Sequence, residues 1–133
     1  MPSTYPHIIA SPLAGCLTEL QLDHTARTVV ALLSCPAEFP GFAGHFPEAP
    51  VLPAVMQLLA VRLLAEALVD IGLAPFRVER LKFKGMVSPT EVIRVRLGLK
   101  DCADGLGAEF SLDREGTAIA SGTIIFRPCG AEG

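Results

Sequence analysis

The sequence predicts an α+β domain, one antiparallel sheet wrapped around a single long central helix. Three observations predict it. Residues 54–71 are apolar on nearly every side, so a helix there must be buried nearly all round. Runs on either side of it alternate apolar and polar residues with the period of two that a half-buried strand requires. The order is two such strands, the helix, then four more strands, which one antiparallel sheet around one helix satisfies.

Each element has its own signal. Residues 1–12 carry three prolines and read as an extended arm. Residues 16–22, Cys-Leu-Thr-Glu-Leu-Gln-Leu, alternate, and residues 27–34 are rich in valine and leucine. Asp23, His24 and Thr25 read as the hairpin turn between them. Residues 35–53 form a proline-rich loop. In the helix, Val55, Leu58, Leu59, Leu63 and Ala67 recur at helical spacing, while Val61, Leu64 and Leu68 fill another side. Gly72 is the expected stop. Residues 76–83 and 92–100 are the next strands, the second with a clear alternation. Residues 108–114 and 117–127 read as a hairpin across Glu115 and Gly116, and residues 129–133 as a frayed tail.

Composition bounds the function. The 133 residues suit a single domain, 1–133, with its core at about 15–127. Half the residues are hydrophobic and 19% are charged, enough apolar surface for a full core. The net charge of −3, without a basic block, argues against nucleic acid. The longest apolar stretch, 54–73, is interrupted by Gln57, Arg62, Glu66 and Asp70, so a membrane span is not expected. Residues 1–5 lack the basic-then-apolar pattern of a signal peptide, so the expected location is cytoplasmic. Cys16, Cys35, Cys102 and Cys129 are widely spaced and form no CxxC pair, so no metal site is expected and the thiols read as core filler.

One titratable side chain stands in an unusual setting. His45 lies in Gly44-His45-Phe46-Pro47-Glu48-Ala49-Pro50-Val51-Leu52-Pro53, immediately before the helix. Pro47, Pro50 and Pro53 each fix φ and remove a backbone donor, so the histidine sits on a stiff loop. An imidazole is suited to proton transfer near neutral pH. The first N–H groups of the following helix have no intrahelical partner and suit a carbonyl oxygen. The bland reading of His45 is a structural loop histidine. His7 and His24 lie in proline-rich or polar surroundings and read as solvated.

The loop and helix start resemble the hotdog-fold 3-hydroxyacyl-(acyl carrier protein) dehydratases. The stretch Pro53-Ala54-Val55-Met56-Gln57 is similar to the branch associated with aryl polyene biosynthesis, as are Leu81-Lys82-Phe83 and residues 121–126, Ser-Gly-Thr-Ile-Ile-Phe. The resemblance covers roughly residues 15–127. It implies a hotdog fold and dehydration of a 3-hydroxyacyl thioester in fatty acid or polyene synthesis. His45 matches the base that removes the α-proton, and the N–H of Ala54 takes the place of the family's glycine at the carbonyl. Phe46, Ala54, Gln57 and Leu59 are then the substrate-binding residues. No cofactor is implied, because the acyl group arrives on phosphopantetheine or coenzyme A. The implied partners are an acyl carrier protein and a second dehydratase-like chain, as homodimer or heterodimer.

Two departures matter. The family's helix acid falls fourteen residues after the histidine, where this chain has Leu59, which cannot move a proton. Glu66, the next acid on that face, is seven residues on, about 10 Å along the axis. The family's glycine after His-Phe-Pro is Glu48, so either the loop differs locally or Glu48 brings a carboxylate near His45. Three functions stay open: a dehydratase-like enzyme, a non-catalytic acyl-binding subunit of an active homologue, and an acyl thioesterase. Other residues keep two readings each. Gln57 is a polar group at a dimer seam or a hydrogen-bonding group lining a tunnel. Arg62 and Glu66, spaced i, i+4, read as an ion pair. Arg77, Arg80, Lys82 and Lys84 read as a solvated face or as a receptor for an acidic carrier or its phosphate.

Overall fold

The expected α+β architecture is the observed one. The computed structural model describes residues 12–37 and 52–129. Its strands are β1 Leu17–Asp23, β2 Thr28–Leu33, β3 Leu73–Phe83, β4 Ile93–Cys102, β5 Gly105–Arg114 and β6 Thr117–Pro128. A 3-10 turn, Pro12–Cys16, precedes β1, and helix α1, Ala54–Val69, separates β2 from β3. All pairings are antiparallel, in the order β1-β2-β4-β5-β6-β3. This is the hotdog arrangement, with α1 against the inner face of the sheet.

Alternation decides the two faces. Along β4, Ile93, Val95, Leu97 and Leu99 are buried while Arg94, Arg96 and Lys100 face out. On β2, Val29, Ala31 and Leu33 turn inward to the same core. Against them α1 sets Ala60, Val61, Leu63, Leu64, Ala65 and Leu68, all buried. Each fully buried Leu or Val contributes about 1.5–3 kcal/mol relative to exposure. The β5–β6 hairpin closes over Glu115 and Gly116, as the sequence indicates. Both have positive φ, 50° and 86°, the combination that matches the right-handed twist of the strands.

Several expectations need correction. The helix ends at Val69, two residues before the expected 71, because Asp70 and not Gly72 turns the chain. Asp70 adopts the left-handed conformation at φ 59° and its N–H reaches the Glu66 carbonyl at 2.7 Å. Aspartate tolerates that region better than most residues. Freed early, the chain enters β3 at Leu73, three residues before the expected start. Strand β5 likewise begins at Gly105, not 108. Cys16 belongs to the 3-10 turn, and the first hairpin turn occupies residues 24–27. Helix burial is also uneven. The stretch from Ala60 to Leu68 is buried apart from Arg62, yet Ala54 is exposed and Val55 is 65% exposed. One chain therefore covers the second half of the helix. Uncovered apolar surface lies instead at the first helical turn and along β3, where Phe76, Val78, Leu81 and Phe83 are each 39–46% exposed.

Glu66 closes the end of the helix. It is 2% exposed, and its Oε2 accepts the Leu73 N–H at 2.7 Å and faces Arg62 Nε at 3.3 Å. The i, i+4 ion pair expected from the sequence is thus present, with a backbone donor added. Glu66→Leu should lower unfolding free energy by about 1–3 kcal/mol, the cost of stranding a buried N–H. Glu66→Gln, which keeps an acceptor, should lose less. Urea unfolding of the three proteins measures this, and equal midpoints for Glu66→Leu and the parent would refute the role.

Candidate functional site

The start of α1 carries backbone donors that its own cap does not satisfy. Pro53 is the N-cap and, lacking a side-chain oxygen, makes no capping hydrogen bond. Its carbonyl accepts from Met56 N at 3.0 Å and Gln57 N at 3.2 Å. Among the described residues the N–H groups of Ala54 and Val55 have no acceptor. Two adjacent N–H groups at the positive end of a 16-residue helix suit an oxygen that gains negative charge. The Val55 donor was not anticipated. A proline N-cap was the signal for it, since a cap without an oxygen leaves the first turn unsatisfied.

Gln57 lies one turn in. It is 4% exposed, and its Nε2 donates to the Leu52 carbonyl at 3.1 Å. Its Oε1 has no partner among the described residues. Leu59 is half-buried and packs against the core. His45, Phe46 and Glu48 lie outside the described residues. The structure therefore places Ala54, Gln57 and Leu59 together on the first turns of α1, and says nothing of His45 or Phe46.

The described residues on either side of residues 38–51 are well anchored. The connection between β3 and β4 binds both flanks of residues 38–51. Thr90 N donates to the Cys35 carbonyl at 2.7 Å, and Leu52 N donates to the Val87 carbonyl at 2.7 Å. The connection is itself fastened. Lys84 N and Gly85 N donate to the Ile119 carbonyl, and Arg114 Nη1 reaches the Met86 carbonyl at 3.0 Å and Glu91 Oε1 at 3.2 Å. Both ends of the segment that carries His45 are thus anchored to one clamped element.

Other chemistry-bearing groups are accounted for. Burial pushes the Cys35 thiol from 9.0 up to about 12, and the hydrogen bond that this thiol makes to the neighbouring Cys16 side chain adds to the shift. A thiol so held is not a nucleophile near neutral pH. Arg77 belongs to the basic run, but Glu79 at 2.7 Å and Asp104 at 2.8 Å neutralise it and hold it above the usual guanidinium range. No cluster of metal-ligating side chains occurs among the described residues. No helix among them is long and apolar enough to cross a membrane.

Known proteins bear on this geometry. Residues 21–123 match the ApeI-like family model, described as ApeI dehydratase. The chain is 30% identical over 135 residues to the 3-hydroxyacyl-[acyl-carrier-protein] dehydratase FabZ of Chlamydia muridarum, covering 93% of this chain and 77% of that one. It shares its fold with the dehydratase heterocomplex ApeI:P of Xenorhabdus doucetiae at TM-score 0.69, 22% identity, and coverage of 84% of this chain and 96% of that one. A hypothetical thioesterase of Streptococcus pneumoniae, solved with coenzyme A, superposes at TM-score 0.65 with 8% identity over 84% of this chain and 85% of that one.

The Cys35 environment generates a prediction. Between pH 9.0 and about 12 the folded chain keeps a thiol proton that the unfolded chain loses. Its contribution to stability is therefore full below about pH 9 and falls as pH rises toward 12. Cys35→Ala should flatten the decline of the denaturation midpoint over that window. In the native protein at pH 8, alkylation followed by mass spectrometry should label exposed Cys129 and spare buried Cys16 and Cys35. Rapid labelling of Cys35 would contradict the account.

Proposed function

The chain belongs to the ApeI-like dehydratase family, and from that premise we propose that it removes water from 3-hydroxyacyl thioesters. The observation that supports the reading is the pair of N–H groups, Ala54 and Val55, that have no acceptor among the described residues, on a helix that opens directly after the histidine loop. The thioester carbonyl sits on these donors, so the negative charge that develops on its oxygen meets the helix terminus. His45 takes the proton from C2, the electron pair forms the C2–C3 double bond, and the C3–O bond breaks. The departing hydroxyl needs a proton to leave as water. Leu59, where the family places an acid, cannot provide it, so turnover is slow or uses another donor such as Glu48. Gln57 and Phe46 line the acyl site. No cofactor takes part. The acyl group is carried on phosphopantetheine, with an acyl carrier protein as the delivering partner in the cytoplasm.

A second reading is favoured by the same leucine. With the acid gone, the chain serves as the acyl-binding partner of an active dehydratase, an assembly like the heterocomplex of its structural neighbour. Both readings need a partner chain. Among the described residues strand β3 is an edge, and its exposed Phe76, Val78, Leu81 and Phe83 form an apolar row along it. The thioesterase reading is weaker, because the first half of α1 carries no carboxylate that could attack or activate water.

Dehydration and rehydration of acyl-carrier and coenzyme A thioesters, followed by mass spectrometry, test the chemistry. Wild-type turnover should be slow and His45→Ala should abolish it. Leu59→Glu should raise the rate, since a general acid is worth about 10²–10⁴. Silence in both the wild type and Leu59→Glu would favour the subunit reading. Robust wild-type turnover that survives His45→Ala would end the mechanism.

Oligomeric state gives a separate check. Light scattering should give a dimer, and Val78→Lys with Phe83→Lys should shift it toward monomer. A wild-type monomer at micromolar concentration would refute the edge assignment.

A further inference from the structure

The face of the sheet turned away from α1 is not a plain solvated surface. It holds a groove of about 840 Å³ across β2, β4, β5, β6 and β3, within the range of small-molecule sites. One cross-strand row forms its floor. Arg96 pairs with Ser111, Ser111 with Ser121, and Ser121 with Lys82. Neighbouring strands are about 4.8 Å apart, so Arg96 and Lys82 stand about 14 Å from each other with the two serines between them, and both can reach over the serines. Neither Arg96, Lys82 nor Arg80, which also lines the groove, is in a salt bridge among the described residues. The neighbouring Arg94, outside the groove lining, is paired with Asp113 at 3.5 Å.

A second feature aims a cation at the same place. Register shifts between Glu79 and Lys82, so Arg80 and Leu81 form a bulge. Arg80 has φ 52°, a conformation disfavoured for arginine, and its Nη2 lies 3.5 Å from Thr123 Oγ1 on the outer face. Gly122 opposite allows this, because a Cβ there would meet Leu81 Cα at 3.2 Å. Bulges re-aim side chains, and this one turns the Arg80 guanidinium toward Thr123 on the outer face.

We propose that this outer groove binds a small phosphomonoester, its head group on the Ser111 and Ser121 hydroxyls between Arg96 and Lys82. Three cations stand against one carboxylate, Glu109, in the groove lining. That excess of two charges matches a phosphomonoester, which carries about −1.5 to −2 near pH 7. A phosphodiester, with one charge, leaves part of it uncompensated. Guanidinium and ammonium donors with hydroxyls are the usual cradle for phosphate oxygens. Glu109 lies one row away, opposite Gly98 and Thr123, where it can accept from hydroxyl or amine donors on the body of the ligand. Val30 supplies an apolar wall.

Calorimetric titration of the full-length chain at low salt tests this. The probes are adenosine monophosphate, inorganic phosphate, dimethyl phosphate and adenosine. Adenosine monophosphate should bind with Kd below about 1 mM, inorganic phosphate should compete, and dimethyl phosphate should bind at least tenfold more weakly. Adenosine should not bind. The double variant Lys82→Gln, Arg96→Gln should weaken the monophosphate by about tenfold or more, whereas Arg27→Gln, whose side chain is outside the groove lining and paired with Asp101, should not. Both variants alter exposed side chains, and an unchanged melting temperature confirms that each is folded. No saturable binding of the monophosphate, equal binding by adenosine or by dimethyl phosphate, or full binding by the double variant would each overturn the proposal. The dehydration assay is independent of these outcomes, because the groove and α1 lie on opposite faces of the sheet.

Discussion

The carboxylate of Glu66, carried by a helix into an apolar interior, is the point at which the fold is closed. A single ionised group in such surroundings is costly unless donors surround it. Here Leu73 N–H and Arg62 Nε provide donors, one from the strand that follows and one from the preceding turn. The contact spans the reversal at Asp70 and fixes the direction in which the chain leaves the helix. That direction takes β3 to the far edge of the sheet, beside β6 and away from β2. The sheet can then embrace the helix from both ends, because the strands on either side of α1 in sequence lie at opposite sides of it in space.

The second constraint is the connection between β3 and β4. It is a long irregular stretch, and such stretches usually move. Here it is fastened to the β6 backbone at Ile119 and to Arg114, and it offers Val87 and Thr90 to the two flanks of residues 38–51. The opening of α1 inherits this order, because Leu52 is held by Val87 on one side and by the Gln57 amide on the other. Donors that are to stabilise a developing charge must be positioned before the charge appears. The N–H groups of Ala54 and Val55, without an acceptor among the described residues, meet that requirement on an anchored helix start that has no capping side chain.

Much of this was legible in the residues, and the reasons for the rest are physical. Alternation along β4 and β5 and the turn at Glu115-Gly116 depend on local chemistry, so they read directly. The helix was legible by its apolarity, but its end was not. Gly72 is the better stop by propensity, yet tertiary contact at Glu66 favours an earlier turn at Asp70. Strand order was also hidden, since sequence neighbours β2 and β3 are not spatial neighbours and only the α1 exit direction decides that. In the candidate site, Ala54, Gln57 and Leu59 could be grouped from the motif because they share one helix. The donors of Val55 and the clamp through Cys35, Val87 and Thr90 are backbone features, which residue identities record poorly. The basic run was legible as charge but not as function. Arg77 proves neutralised by Glu79 and by Asp104 of the β4–β5 turn, while Arg80 is re-aimed by a bulge that no propensity marks.

The alternation of a half-buried strand has a further consequence. Val95, Leu97, Phe110 and Leu112 face the helix, while Arg96, Ser111 and Ser121 between them face out. Substitutions in the first set open cavities and cost several kcal/mol, at about 2–5 for a leucine cut to alanine. Substitutions in the second set leave the core untouched and typically stay within about 0.5 kcal/mol. The outer face is thus free to acquire polar groups in register without loss of stability. The inner face and the helix start are constrained by the packing that buries α1. A leucine at position 59 fits that constraint directly, whereas a carboxylate there would need donors of the kind that Glu66 draws from Arg62 and Leu73.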